Sequence, residues 1–143
     1  MKIIFDYNRT IFNPETNKLY FGVLDLLKKL SKKYTLFLIS RNEPLRKNRF
    51  EKFNIEKYFH KVLFVNEKTK EIFKKLSGNE KNVIVVGDSI IDEIKIGNQI
   101  GFITVRIKKG MFATEIPKNK DELANFEIAD IKELKNIILN YEK

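Results

Sequence analysis

Apolar positions along the chain fall into short continuous runs that alternate with longer stretches of helical spacing. The runs cover residues 2–5, 35–40, 62–65, 82–86 and 101–105. Runs this short and rich in β-branched residues read as strands buried on both faces of a parallel sheet. Between the first two, residues 19–33 carry Val23, Leu26, Leu27 and Leu30 on one helical face, and Lys28, Lys29, Lys32 and Lys33 suit the negative end of the helix dipole. Residues 43–53 read as a helix with Leu45, Phe50 and Phe53 inward and Arg46, Lys47 and Arg49 outward. Residues 68–76 place Ile72, Phe73 and Leu76 together, and a helix over 90–99 follows the fourth run. Ile131, Leu134, Ile138 and Tyr141 form the face of a last helix. Residues 7–18 read as a loop with turn chemistry from Asn13 to Asn17, and 106–125 is the least regular part.

Strands alternating with helices predict an α/β fold, a doubly wound three-layer sandwich around a mainly parallel sheet of five or six strands. Right-handed crossovers limit the topology to a few orders. With no internal repeat, low-complexity tract or linker, residues 1–143 are expected to form a single domain.

Composition narrows the class further. Hydrophobic residues make up 43% of the chain and aromatics 12%, which argues against disorder. No apolar run approaches the roughly 20 residues needed to cross a bilayer, so no membrane partner is expected. The opening Lys2-Ile3-Ile4-Phe5 breaks at once into Asp6, unlike a secretory leader. The absence of cysteine excludes a disulfide framework, a thiol nucleophile and a thiolate metal site. A soluble, cytoplasmic protein is the expectation. The net charge of +9 admits a nucleic-acid partner, but no block of five like charges occurs, and the excess reads as solvated lysine surface. Nucleic acid is therefore possible as a partner and not favoured.

The candidate chemistry lies where two strands end. The fourth run stops at Gly87 and opens onto Asp88 and Asp92; the first ends in Asp6-Tyr7-Asn8-Arg9-Thr10. Open α/β sheets bind ligands at such carboxyl edges. Asp88 or Ser89 would equally serve as a helix cap. If the two strands are neighbours, their carboxylates meet and need a cation, and hard oxygen donors favour Mg2+.

Four motifs in order make the chain resemble the haloacid dehalogenase-like (HAD) superfamily. Asp6 to Thr10 is similar to its first motif, Asp-x-Asp-x-Thr. Leu36-Phe37-Leu38-Ile39-Ser40 resembles the second, an apolar strand ending in Ser or Thr. Lys68 resembles the motif-three lysine that opens a helix, and Gly87-Asp88-Ser89-Ile90-Ile91-Asp92 the fourth motif, Gly-Asp-x-x-x-Asp. The resemblance covers nearly the whole chain and implies a HAD-like Rossmannoid sheet of order 5-4-1-2-3, in which strands 1 and 4 adjoin.

It also implies roles. Asp6 would be the nucleophile of a Mg2+-dependent phosphohydrolase. Asp6, Asp88 and the backbone carbonyl of Asn8 would hold the metal, with Asp92 a further ligand or an outer-shell partner through water. Thr10, Ser40, Arg41 and Lys68 would bind the phosphoryl group, with Lys68 also neutralising Asp6. Arg41, Arg46 and Arg49 together suggest an anion-attracting rim, although a solvated helix face accounts for them better. His60 receives no role.

Asn8 departs from the pattern, since the family's phosphatases usually carry an Asp there as general acid and base. An amide cannot shuttle that proton, so the expectation is a slow phosphatase. The alternatives are a catalytically impaired phosphate- or partner-binding protein and a nucleic-acid end-processing phosphatase. Dehalogenation is less well matched by the neighbouring residues. Only 29 residues separate Thr10 from Ser40 and 27 separate Ser40 from Lys68, too few for a sizeable cap domain beside the core elements. An open site follows, suited to a small or macromolecular phosphorylated substrate, with a homo-oligomer as one way to cover it.

Overall fold

The computed structural model describes residues 1–142. Its central strand is β1 (Lys2–Phe5), flanked by β4 (Thr35–Arg41) and β6 (Val83–Gly87). Outward from β4 lies β5 (Lys61–Val65), and outward from β6 lie β7 (Ile103–Ile107) and β8 (Phe126–Ile128). The order is β5-β4-β1-β6-β7-β8, and every pair is parallel. The five strands expected from the sequence take the expected order, and β8 extends the sheet by one.

The continuous apolar runs are explained by two-sided burial. Side chains alternate along a strand, so Ile3 and Phe5 join Leu36, Leu38, Ile84 and Val86 on one face. Ile4 joins Phe37, Ile39, Val83 and Val85 on the other. The first face is covered by α1 (Val23–Ser31) and α5 (Leu134–Tyr141), through Leu27, Leu30, Leu134 and Ile138. The second is covered by Phe73 and Leu76 of α3 (Lys70–Ser77), with Phe102 at the end of α4 (Lys95–Ile100). No described helix is long and apolar enough to cross a membrane.

Several element boundaries differ from the expectation. Part of the 7–18 loop is a small hairpin, β2 (Phe12–Asn13) with β3 (Lys18–Leu19), so Leu19 pairs with Phe12 instead of opening α1. Leu45 precedes α2 (Arg46–Lys52) at φ 66 and is exposed rather than inward, while Arg46 is half-buried rather than outward. Thr69 caps α3, its hydroxyl accepting from the Ile72 N–H at 3.4 Å, which leaves Lys68 just ahead of the helix. Gly101, at φ 95, ends α4 in the left-handed conformation and delays β7 by two residues. In the last helix Ile137 is buried, whereas Tyr141 lies at the surface with its ring edge on Phe126.

Registers set the site. Phe5 lies opposite Val86 and Leu38, so the segments after β1, β4 and β6 leave the sheet at one edge. The Asp6 N–H donates to the Val86 carbonyl at 2.9 Å, which holds the start of the first motif against the last strand residues before Gly87.

Candidate active site

The chain turns sharply after Asp6. The Tyr7 carbonyl accepts from the N–H groups of Ile11 and Phe12, both at 2.9 Å, and Arg9 takes a left-handed φ of 60. The buried Tyr7 ring, stacked on Phe12 at 5.1 Å, pins this turn to the core. Asp6 is thereby fixed at the floor of a cavity of about 410 Å³ at the carboxyl edge of the sheet.

One ammonium organises the floor. Lys68 Nζ donates to Asp6 Oδ1 at 2.6 Å and to Glu93 Oε2 at 2.9 Å, and all three groups are buried. The second Asp6 oxygen accepts from the Thr10 hydroxyl at 3.3 Å. Glu93 Oε1 accepts from the Ser89 N–H at 3.2 Å. Glu93 reaches the cluster across Gly87, where a Cβ would stand 2.4 Å from its Cγ. Asp88 completes the cluster: Asp6, Asp88 and Glu93 bring carboxylate oxygens within 4.8 Å of one another.

The electrostatics show a shortage of positive charge. Burial, and then the Asp6 carboxylate, push Asp88 up to about 9; the same two causes push Glu93 up to about 8 despite Lys68. For Lys68 burial works against the charge, yet Asp6 and Glu93 outweigh it and hold the ammonium above the ordinary lysine range. Asp88 Oδ2 is buried without a hydrogen bond, and its nearest cation is Arg9 Nη1 at 3.9 Å. Uncompensated buried carboxylates are costly. A close set of hard oxygen donors with one unpartnered atom fits a divalent cation such as Mg2+.

Several expected site residues make contacts other than the expected ones. Asp92, expected beside Asp88, instead takes both prongs of Arg41, Nε to Oδ2 and Nη2 to Oδ1 at 2.8 Å each. Residues Ile90–Ile94 wind as a π-helical turn, and along it the inward position falls one residue later, on Glu93. Arg41 is thus paired with Asp92, and both line the cavity. Thr10, expected on the phosphoryl group, is fully buried behind Asp6. Ser40 is fully buried as well, its hydroxyl donating to the Arg41 carbonyl at 3.0 Å. Arg46, by contrast, turns from α2 toward the cavity and donates to that same carbonyl at 3.1 Å. Asn8 lines the cavity with Asp6, Lys68 and Asp88. His60 lies apart, edge-on to Phe37 at 5.7 Å.

Glu93 and Arg9 carry no role in the sequence reading, whereas Arg46, weighed there as part of an anion-attracting rim and then assigned to a solvated face, does line the cavity. The adjacent Asp92-Glu93 pair was a signal for the first, since either carboxylate satisfies a loose helical spacing. Arg9 within the first motif had no such signal.

The family model for haloacid dehalogenase-like hydrolases matches residues 1–107. A glyceraldehyde 3-phosphate phosphatase of Methanopyrus kandleri is 29% identical over 98 residues, 62% of this chain and 42% of that protein. A magnesium-bound HAD hydrolase of Bacillus subtilis superposes with a TM-score of 0.69 at 20% identity, over 85% of this chain and 57% of its own. A haloacid dehalogenase-like hydrolase of Burkholderia xenovorans gives a TM-score of 0.82 at 10% identity, over 99% and 98%. The chain thus spans less than half of the archaeal phosphatase and little more than half of the Bacillus protein, but nearly all of the Burkholderia one.

Proposed function

Because the chain belongs to the haloacid dehalogenase-like hydrolases, we propose that it is a phosphomonoesterase with Asp6 as nucleophile and Mg2+ as cofactor. The observation that carries this is the Lys68 ammonium at 2.6 Å from Asp6 and 2.9 Å from Glu93, buried on the floor of a cavity that Asp88 also lines. Lys68 and Thr10 hold the Asp6 carboxylate in one orientation, as a nucleophile facing a phosphoryl group requires. An Asp6 oxygen attacks phosphorus, the bond to the leaving oxygen breaks, and that oxygen takes a proton. Water then attacks the aspartyl-phosphate, releasing phosphate and restoring the carboxylate.

Asp6, Asp88, Glu93 and the Asn8 carbonyl would hold the Mg2+, which when bound offsets repulsion between the carboxylates and the phosphoryl oxygens. Arg9 supplies positive charge on the cavity wall, and Arg46, paired with Glu43 at 2.8 Å, adds to it in part. Asn8 stands where the proton shuttle would be, and its amide neither protonates the leaving oxygen nor deprotonates water. Solvent moves the proton instead, and turnover is slow. The short segments between Thr10, Ser40 and Lys68 leave the site without a cap, accessible to small or macromolecular phosphate esters.

The test is phosphate release from an activated aryl phosphate with Mg2+, comparing the wild type with Asp6→Asn. Activity that vanishes in Asp6→Asn supports the proposal. Its absence from the folded wild type would favour a second reading, a phosphate-binding protein without turnover, for which Asn8 is the specific motivation. Salt-sensitive binding to DNA or RNA would instead point to an end-processing role.

A further inference from the structure

Arg9 occupies a position that the hydrolytic chemistry does not require to be arginine. Its φ of 60 is a left-handed conformation that glycine adopts at the least cost, and a non-glycine residue held there points toward a use for its side chain. The side chain is fitted with care. Its guanidinium lies over the Phe112 ring at 5.1 Å, and Nη2 donates to Met111 Sδ at 2.9 Å. Gly110 makes room for it, since a Cβ there would stand 2.6 Å from Arg9 Cδ. The segment that provides these contacts is itself anchored. Arg106, fully buried in β7, donates through Nη2 to the carbonyls of Phe112 at 2.9 Å and Glu115 at 2.8 Å.

The charge so positioned is largely unspent. Among the described residues the carboxylate paired with Arg9 is Asp88, at 3.9 Å, beyond hydrogen-bond distance. Arg9 also lines two cavities at once. One is the cavity over Asp6; the other, of about 380 Å³, adds Asn13, Tyr20 and Lys109. Lys109 is half-buried, with its ammonium 4.4 Å over the Tyr20 ring. Glu15, exposed on the same rim, also lines this cavity, so its wall carries two cations, Arg9 and Lys109, against one carboxylate.

We propose that this second cavity receives a second anionic group of the substrate, a carboxylate or a further phosphate, while the phosphoryl group to be released lies on Asp6. Arg9 stands between the two anions and Lys109 contacts the distal one. The preferred substrates are then small phosphomonoesters carrying a second negative charge, rather than neutral-tailed ones. A guanidinium braced on an aromatic face pairs with a planar carboxylate without losing much side-chain freedom. The inference rests on the phosphomonoesterase proposal and specifies its substrate class.

Non-hydrolysable phosphonates test it independently of turnover. Calorimetric affinities of wild-type protein with Mg2+ would be compared for 3-phosphonopropanoate and propylphosphonate. The carboxylate-bearing ligand should bind about tenfold more tightly, the worth of one charge-assisted contact. Lys109→Ala should shrink that ratio toward one without changing the affinity for propylphosphonate, and Arg9→Gln should shrink it as well. Equal affinities in the wild type, or a ratio that survives both substitutions, would overturn the subsite, whatever the outcome of the phosphate-release assay. If neither phosphonate binds and Asp6-dependent release is also absent, the proposed function fails and the subsite with it.

Discussion

Arg41 and Asp92 close on each other across the mouth of the cavity through two parallel hydrogen bonds of 2.8 Å. The pair ties the end of β4 to the π-helical turn after β6. It also removes Asp92 from the carboxylate cluster and leaves that place to Glu93, whose side chain is buried while Arg41 remains nearly half exposed. The two neighbouring acids therefore do different work.

Substitution separates these roles. Asp92→Asn should cost less than about 1 kcal/mol in urea unfolding, because the pair is partly solvated. It should also leave the thermal stabilisation by Mg2+ intact. Glu93→Gln should weaken that stabilisation. The opposite pattern would assign Asp92 to the metal.

Lys68→Met removes the cation that, among the described residues, is bonded to Asp6 and Glu93, and leaves the Asp6 carboxylate buried without it. Breaking a buried pair in this way costs about 3–5 kcal/mol. The loss should appear as a lower urea midpoint at neutral pH. Added Mg2+ should recover part of it, because the cluster still needs a cation.

The raised carboxylates give the metal-free protein a defined pH dependence. Burial, with Asp6 as the next cause, places Asp88 at about 9 and Glu93 at about 8, from ordinary values of 3.8 and 4.5. A folded-state value above the unfolded one means that the folded protein binds more protons, so stability falls as pH rises through this window. In EDTA the melting temperature should decline between about pH 5.5 and pH 8.5 from this contribution. Mg2+ should raise it by more at the upper pH, where both carboxylates are most costly to keep ionised. An increment that is larger at the lower pH would show that the cation does not bind this cluster.

Asn8→Asp restores a titratable group on the cavity wall. Turnover of alkyl phosphates, whose leaving oxygens need a proton, should rise by about 10²–10⁴-fold in kcat. Activated aryl phosphates should change little. Equal effects on both substrate types would mean that position 8 acts by some means other than proton transfer.

Much of this protein was legible in the order of its residues. The runs at 2–5, 35–40 and 82–86 are apolar at every step because both faces of a central parallel strand are buried, as the opposite placements of Ile4 and its neighbours Ile3 and Phe5 show. Turn residues and helical spacing between the runs limit the sheet to a few doubly wound orders. The resemblance of four motifs to a known family implies the order found, which brings Asp6 and Asp88 to one edge. Period and connectivity are linear properties of a chain. The tertiary structure alone decided which side chains face the cavity. Asp92 and Glu93 differ by one step of a helical turn, and the π-helical winding of Ile90–Ile94 chose between them. The hydroxyls of Thr10 and Ser40 turned to Asp6 and to a carbonyl, because buried donors take the nearest acceptor. Arg9 became a wall residue through Gly110 and Phe112, a hundred residues away along the chain and in direct contact across the fold.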